Sequence, residues 1–191
     1  YVLDGSKPAD EWRGWLPRGH APHVKDPKRG FVSSANQLYA DTDYPYYLGG
    51  DYAPFERGAR INELRWAARG VTPEDMVRMQ ADVLDIRARA VAPRLVALLR
   101  GRASTEAEKR SYEELAAWDF EARAGLVAPT VFREVWAELN RRTWNDEKAA
   151  GMARMTWPAS QVMVDLVMNR PDAEWFDDQT TPGRETLADI V

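Results

Sequence analysis

Cysteine is absent from the sequence, histidine occurs only twice, and no long apolar run is present. The absence of cysteine excludes disulfides, thiol nucleophiles and thiolate metal sites. A transmembrane helix requires about 20 consecutive apolar residues. No stretch of the sequence approaches that length, so we expect no membrane partner.

Positive charge is also scarce relative to negative charge. The formal net charge is -4, and the arginines are interleaved with carboxylates along the chain. Affinity for phosphate backbones comes mainly from clustered basic residues, so no nucleic-acid partner is expected. The 191 residues are 45% hydrophobic, which suits one globular domain or one large part of a bigger domain.

Two regions of the chain differ in composition. Residues 1–56 are rich in proline, glycine, tyrosine and tryptophan, with short apolar runs such as FVSSA. This composition predicts extended chain with short strands. So long a segment without periodic structure is unusual inside a compact domain, and we expect it to lie across another surface. Residues 57–191 are predicted to be helical.

Helix boundaries can be placed from capping residues. Thr72 is a predicted N-cap, with Pro73 at the first helical position. An apolar stripe then recurs at steps of three and four, which predicts one long helix through Met76, Met79, Val83, Ile86 and Ala90. Pro93 is expected to kink or restart this helix, and Gly101 to end it. Further helices are predicted from Ser104 or Thr105, from Thr130, from Pro158 to Pro171, and from Glu185.

The histidines and serines allow two familiar kinds of site, and the pattern supports both weakly. His20 and His23 could bind a metal, but they lack helical spacing and an evident third ligand. Ser33 or Ser34 could pair with a histidine in a self-contained hydrolase, but no G-x-S-x-G turn is present. We expect these side chains to serve at the surface or in packing.

Acidic residues follow in the stretch YADTDYPYYLGGDY. Asp41, Asp43 and Asp51 offer oxygen ligands of the kind that Ca²⁺ prefers. Their spacing matches no EF-hand, and carboxylates in such loops commonly serve in turns and helix caps. The residues alone therefore predict turns here rather than a metal site.

Asn36 occupies a more suggestive position. In GFVSSANQ, residues 30–37, it follows a strand-like run and a small-residue turn. A short amide side chain there can present its N–H₂ outward, as a donor to an oxyanion. Arg57 and Arg60 follow at a predicted helix start, where two cations oppose the helix dipole. A locally unfavourable placement of this kind indicates a functional or ion-pairing role.

The sequence resembles the β-subunit of the penicillin amidase (penicillin acylase) family of N-terminal nucleophile hydrolases. The resemblance is carried by WRGWLP, DPKRGFVSSANQ, RGARI and MQAD, in this order. It extends over essentially the whole chain and becomes looser after Trp118 and Asp119. It implies a middle segment of the β-subunit, which is mainly α: a helical insertion with a short extended or β N-terminal segment, within a larger αββα fold.

The resemblance also implies an activity. The family hydrolyses amides with an N-terminal serine, which is released by autocatalytic removal of a linker peptide. Asn36 would contribute to the oxyanion hole and Arg57 would be the functional arginine, with Arg60 as its close rival. Gln37 stands where the family often has a second asparagine, and this difference is expected to matter little. Tyr1 cannot be the nucleophile, so the serine is expected outside this chain.

Partners and location follow from the same resemblance. The expected partners are the remainder of the β-subunit, the α-subunit of the same precursor and a small-molecule amide substrate. No cofactor is required, although the family's structural calcium makes Asp51 a candidate ligand in the full-length enzyme. Family members are often periplasmic or secreted. The alternative is a non-catalytic helical interaction module derived from such an enzyme, and the segment by itself is expected to be inactive.

Overall fold

The computed structural model describes residues 3–41, 43–50, 52–67, 70–149 and 156–191. These ranges are mainly helical, as the sequence predicts. They contain seven α-helices: α1 (Phe55–Ala67), α2 (Pro73–Gln80), α3 (Ile86–Leu99), α4 (Glu106–Ala116), α5 (Ala128–Ala149), α6 (Ser160–Asn169) and α7 (Leu187–Ile190). No helix in the described part of the chain combines the length and the apolar character needed to cross a membrane.

The segment before α1 is extended. It contains two single turns of 3-10 helix, Pro8–Asp10 and Arg18–His20. The short strands predicted before residue 37 do not form among the described residues, so that prediction is wrong for this chain. A strand needs a second extended segment beside it, and here the neighbour of residues 31–37 is helix α1. The division of the chain at residue 56 stays a prediction.

Capping residues set several helix ends where the sequence places them. Thr72 precedes α2 and forms a reciprocal capping box with Asp75. Thr105, rather than Ser104, is the N-cap of α4 and forms the same arrangement with Glu108. Each box satisfies amide groups that the first helical turn leaves without partners. Gly101 follows α3 with φ +76°, a conformation that glycine adopts without strain.

The single long helix predicted from Thr72 is wrong, because α2 ends at Gln80 and α3 begins at Ile86. Residues 83–85 instead pair with residues 120–122, which includes the isolated bridge between Leu84 and Glu121. Asp85 then caps α3 by accepting a hydrogen bond from the Ala88 amide at 2.8 Å. Tertiary pairing and a new N-cap have overridden a stripe that had helical spacing throughout.

Pro93 neither kinks nor restarts α3, which runs through it. Proline removes one amide donor, so the carbonyl of Arg89 is left without a helical partner. Both residues are exposed, and the freed carbonyl is on the side of the helix that faces water. The buried side of α3 carries Val91, Ala92 and Leu95, whose packing holds the helix in place.

The hydrophobic core lies between α3, α4, α5, α6 and α7. Its largest fully buried side chains are Trp144, Phe176, Leu95, Leu115, Met163, Leu166 and Leu187. Helix α1 lies outside this core and packs against α3. The orientation of α1 therefore depends on what fixes it to α3.

Three ion pairs join α1 to other described parts of the chain, and a fourth lies within α1. Glu56 at its start accepts from Arg87 at 2.8 Å and from the Ser160 hydroxyl at 2.9 Å, which joins α1 to α3 and α6. Arg60, one turn later, forms a two-point contact with Asp82, at 2.8 Å and 2.6 Å. Glu63 pairs with both Arg60 and Arg89 of α3. Networks of this kind hold their side chains better than isolated surface pairs do.

We expect Leu95→Ala to lower the free energy of unfolding by about 2–5 kcal/mol, because it leaves a cavity at a fully buried site. Val77→Ala in α2 is the control, since that side chain is 66% exposed. The control should stay within about 0.5 kcal/mol of the parent. Urea unfolding of the 191-residue chain, followed by the helical circular dichroism signal, measures both. Equal effects of the two substitutions would contradict the assigned core.

The Arg60–Asp82 pair predicts a pH dependence of stability. Hydrogen bonds donated by Arg60 hold the pKa of Asp82 below its ordinary value. A lowered pKa stabilises the fold above the unfolded-state value of about 3.9, and this stabilisation is lost as the pH falls through the folded-state pKa. Stability should therefore fall below about pH 4, and it should fall less steeply in Asp82→Asn. Parallel curves of stability against pH for the two proteins would contradict this expectation.

Candidate active site

The extended segment lies along α1 in the antiparallel direction. The ring of Phe31 meets the ring of Trp66 edge-on, with centroids 6.2 Å apart, near the end of α1. The hydroxyl of Ser33 donates to the side-chain oxygen of Asn62 at 2.8 Å, one turn earlier in the helix. Moving forward along the segment therefore moves backward along α1, toward its first turn.

This alignment brings residues 35 and 36 to Arg57. One guanidinium nitrogen of Arg57, Nη2, donates to the carbonyl oxygen of Ala35 at 3.0 Å and to Oδ1 of Asn36 at 3.0 Å. Ala35 is buried, with 4% of its surface exposed, whereas Asn36 and Arg57 are exposed. The structure thus brings together the asparagine and one of the two arginines that the sequence predicts.

The backbone of Asn36 adopts the left-handed conformation, with φ +63°. Asparagine tolerates this region better than other residues that carry a Cβ atom. The carbonyl oxygen of Asn36 accepts a hydrogen bond from the amide of Ala53 at 2.8 Å, which ties the turn to the chain just before α1. The turn is therefore held at both its backbone and its side chain.

The contact with Arg57 also fixes which way the amide group of Asn36 faces. A guanidinium group carries donors only, so the atom of Asn36 that it contacts must be the oxygen. Within the described part of the chain, Nδ2 of Asn36 makes no hydrogen bond, whereas Oδ1 accepts from Arg57. The side chain therefore has its acceptor engaged by a cation and two N–H donors available at the surface of the turn.

Gln37 is a residue whose role sequence reasoning missed. Its Oε1 accepts a hydrogen bond from the amide of Ala35 at 2.6 Å, which closes the turn around Asn36. Its side chain lies on Gly58 of α1, where an added Cβ would stand 3.4 Å from Gln37 Cδ and Oε1. Glycine within a helix costs about 1 kcal/mol relative to alanine. A glycine inside the helical stretch RGARI therefore indicates a close contact with that face of the helix.

Arg60 differs from Arg57 in its surroundings. Hydrogen bonds to Asp82 are the main cause that raises the pKa of Arg60 above its ordinary value, and Glu63 adds to them. Its charge is therefore compensated by two carboxylates. The contacts of Arg57 described above are with two neutral oxygens, so its charge is not compensated by them.

Two clefts lie near the turn, and Asn36 lines neither of them. Arg57 and Arg60 line a cleft of about 370 Å³ between α1 and the link from α2 to α3. Ser33, Ser34 and Gln37 line a second cleft of about 770 Å³. The side chain of Asn36 is accessible because it is exposed at the surface, not because a cleft surrounds it.

Ser33, Ser34 and His23 line the same cleft, but no hydrogen bond within the described residues joins a serine to a histidine. Ser33 donates to Asn62, as above. Nδ1 of His20 contacts the hydroxyl of Tyr46 at 2.8 Å, and Nδ1 of His23 contacts the carbonyl of Ala21 at 2.9 Å. These contacts match the expected surface and packing roles of the histidines.

The acidic candidates form no metal site within the described ranges, where no group of three or more metal-ligating residues occurs. Asp41 and Asp43 line the larger cleft. Asp51, the candidate calcium ligand, lies outside the described residues. The calcium expectation for the full-length enzyme therefore stays a prediction.

Two relatives of this chain are named as acylases. The chain is 33% identical to penicillin acylase 2 proenzyme of Pseudomonas sp. (strain SE83) over 132 residues, which are 69% of this chain and 17% of that protein. It is 24% identical to acyl-homoserine lactone acylase QuiP of Pseudomonas aeruginosa over 202 residues, which are 95% of this chain and 24% of that protein. The chain spans less than a quarter of the length of these relatives.

The family comparison covers the whole sequence. The family described as penicillin amidase matches residues 1–191. This match confirms the resemblance drawn from WRGWLP, DPKRGFVSSANQ, RGARI and MQAD. The chain belongs to the penicillin amidase family.

Proposed function

We propose that this chain is a segment of an acylase that hydrolyses an amide bond, and that Asn36 donates a hydrogen bond to the oxyanion. The observation that supports this most directly is the Arg57–Asn36 contact of 3.0 Å. It engages the amide oxygen and leaves the N–H₂ group available. A donor that is fixed before the reaction stabilises developing charge without the cost of reorganising.

The chemistry of the proposed step needs groups that are not in this chain. The nucleophile is an N-terminal serine carried elsewhere in the precursor, and its own α-amine takes the proton from its hydroxyl. Attack on the amide carbonyl places negative charge on the carbonyl oxygen. Nδ2 of Asn36 donates to that oxygen. The carbonyl re-forms as the C–N bond breaks, the protonated α-amine gives its proton to the leaving amine, and water then hydrolyses the acyl-serine ester.

Arg57 has two effects in this proposal. It holds the Asn36 side chain in one orientation, and its positive charge stays close to the turn. A cation near a developing oxyanion lowers the energy of the transition state. A cation near an α-amine also lowers the pKa of that amine and favours its neutral, basic form. Arg60 is less suited to this role, because Asp82 and Glu63 compensate its charge.

The proposed substrate is a small-molecule amide, and the proposed partners are the remainder of the β-subunit and the α-subunit of the same precursor. One of the relatives above is named as a proenzyme, which is consistent with a precursor that is processed. The names of the two relatives differ in the substrate class, so the acyl group is left open here.

Two substitutions at Asn36 test the proposal in the full-length processed enzyme. Asn36→Ala should reduce kcat by about 10²–10³, as the loss of an oxyanion donor does elsewhere. Asn36→Asp keeps an oxygen for Arg57 and tolerates the left-handed backbone, but it has no N–H₂ group. It should therefore lose at least as much activity while it retains the local structure.

Steady-state kinetics on a chromogenic acyl-anilide measures these effects. Asn169→Ala, an exposed asparagine of α6, is the matched control and should leave kcat unchanged. If Asn36→Asp stays within about threefold of the parent, the donor role is excluded. A fully active Asn36→Ala enzyme would instead favour the non-catalytic interaction module.

The choice between the two arginines has its own test. Arg57→Ala should lower kcat by about tenfold or more, because the Asn36 side chain loses its fixed orientation. Its effect should be non-additive with Asn36→Ala, since the two residues act as a unit. Arg60→Ala should mainly lower the unfolding temperature, because it leaves Asp82 without its cation.

Kinetics and thermal unfolding of the same variants separate these roles. Arg57→Lys is an informative intermediate, because lysine restores the charge but not the planar donor group. If Arg60→Ala abolishes turnover at a temperature where the protein is folded, and Arg57→Ala does not, then Arg60 is the functional arginine.

A further inference from the structure

We infer that Gln37 is a positioning residue for Asn36. The inference rests on the proposed function, since it assigns to Gln37 the task of holding the oxyanion donor in place. Gln37 stands where the family often has a second asparagine. Its contacts with Ala35 and Gly58 support the positioning role.

The first contact is a hydrogen bond between the residues on either side of Asn36. The amide of Ala35 donates to Oε1 of Gln37 at 2.6 Å, so a side chain one residue after Asn36 bonds to the backbone one residue before it. The direction of this bond is certain, because a backbone N–H can only donate. Ala35 is buried, so without Gln37 its amide would lack a partner in a place with little access to water.

The second contact places the same side chain against the helix that carries Arg57. Gly58 is buried, and a Cβ added there would meet Gln37 at 3.4 Å, an ordinary van der Waals distance, so Gln37 lies directly against this part of α1. Gln37 therefore lies between the turn and the first turn of α1. It keeps the turn at the distance at which Arg57 reaches both the Ala35 carbonyl and the Asn36 side chain.

Two hydrogen bonds hold the backbone of Ala35, the residue that precedes the left-handed turn. Asn36 has φ +63°, a conformation that is uncommon even for asparagine and that these bonds help to hold. Arg57 binds the carbonyl of Ala35, and Gln37 binds its amide. Both polar groups of this buried residue are therefore satisfied by side chains of the proposed site. Loss of the Gln37 bond should leave Asn36 free to relax away from its productive orientation.

Two substitutions separate the hydrogen bond from the packing. Gln37→Met keeps the length and approximate volume of the side chain but removes the acceptor oxygen. Gln37→Glu keeps an acceptor oxygen at the same reach. In the full-length processed enzyme, Gln37→Met should lower kcat by about 10- to 100-fold with little change in KM. Gln37→Glu should recover most of that loss.

One control variant and one further variant at the contact of Gln37 with α1 complete the experiment. Gln161→Met, at an exposed position of α6, should leave kcat and KM unchanged. Gly58→Val adds methyl groups beyond this contact distance, so it should displace Gln37 and lower kcat in the same way as Gln37→Met. This variant keeps the inference testable if Gln37→Met does not fold, which thermal unfolding will reveal.

The double variant with Asn36→Ala decides between the inference and the proposed function. If Gln37 acts through Asn36, Gln37→Met should have almost no further effect once Asn36 is alanine. Additive losses would overturn the inference, as would a Gln37→Met enzyme with the kcat of the parent. If Asn36→Ala is itself fully active, then the proposed function fails, whatever Gln37 does.

Discussion

One guanidinium nitrogen holds the candidate site together. Nη2 of Arg57 contacts the Ala35 carbonyl and the Asn36 side-chain oxygen, each at 3.0 Å. Because arginine carries donors only, it selects the oxygen end of the Asn36 amide and so determines where the N–H₂ end is left. A flexible surface amide is thereby converted into a donor of defined orientation. Without this contact, Asn36 would be an ordinary residue in a left-handed turn.

The position of this contact depends on the position of the helix that carries Arg57. Arg57 lies in the first turn of α1, which is outside the main hydrophobic core. Glu56, Arg60 and Glu63 tie that helix to Arg87, Asp82 and Arg89. Arg57 and Arg60, three positions apart, therefore have different roles. Arg60 is paired with carboxylates and holds α1 in place, whereas Arg57 contacts neutral oxygens of the turn, which leave its charge uncompensated.

The sequence predicts those parts of the fold that local chemistry decides. Thr72, Thr105 and Gly101 end or begin helices because capping depends on neighbours within a few residues. The break between α2 and α3 depends instead on pairing with residues 120–122, which no local pattern contains. The tolerance of α3 for Pro93 also depends on tertiary structure, because the carbonyl that proline leaves unpaired lies on the side of α3 that faces water.

The candidate site also depends on contacts that local sequence patterns do not reveal. Sequence patterns single out Asn36 and the two arginines Arg57 and Arg60, but they cannot show that Asn36 touches Arg57. That contact follows from geometry. An extended chain rises about 3.3 Å per residue, so four residues from Phe31 to Ala35 cover about 13 Å. A helix rises about 1.5 Å per residue, so nine residues from Trp66 back to Arg57 cover nearly the same distance. Once Phe31 is set against Trp66 and Ser33 against Asn62, the same register brings the turn at Asn36 to Arg57.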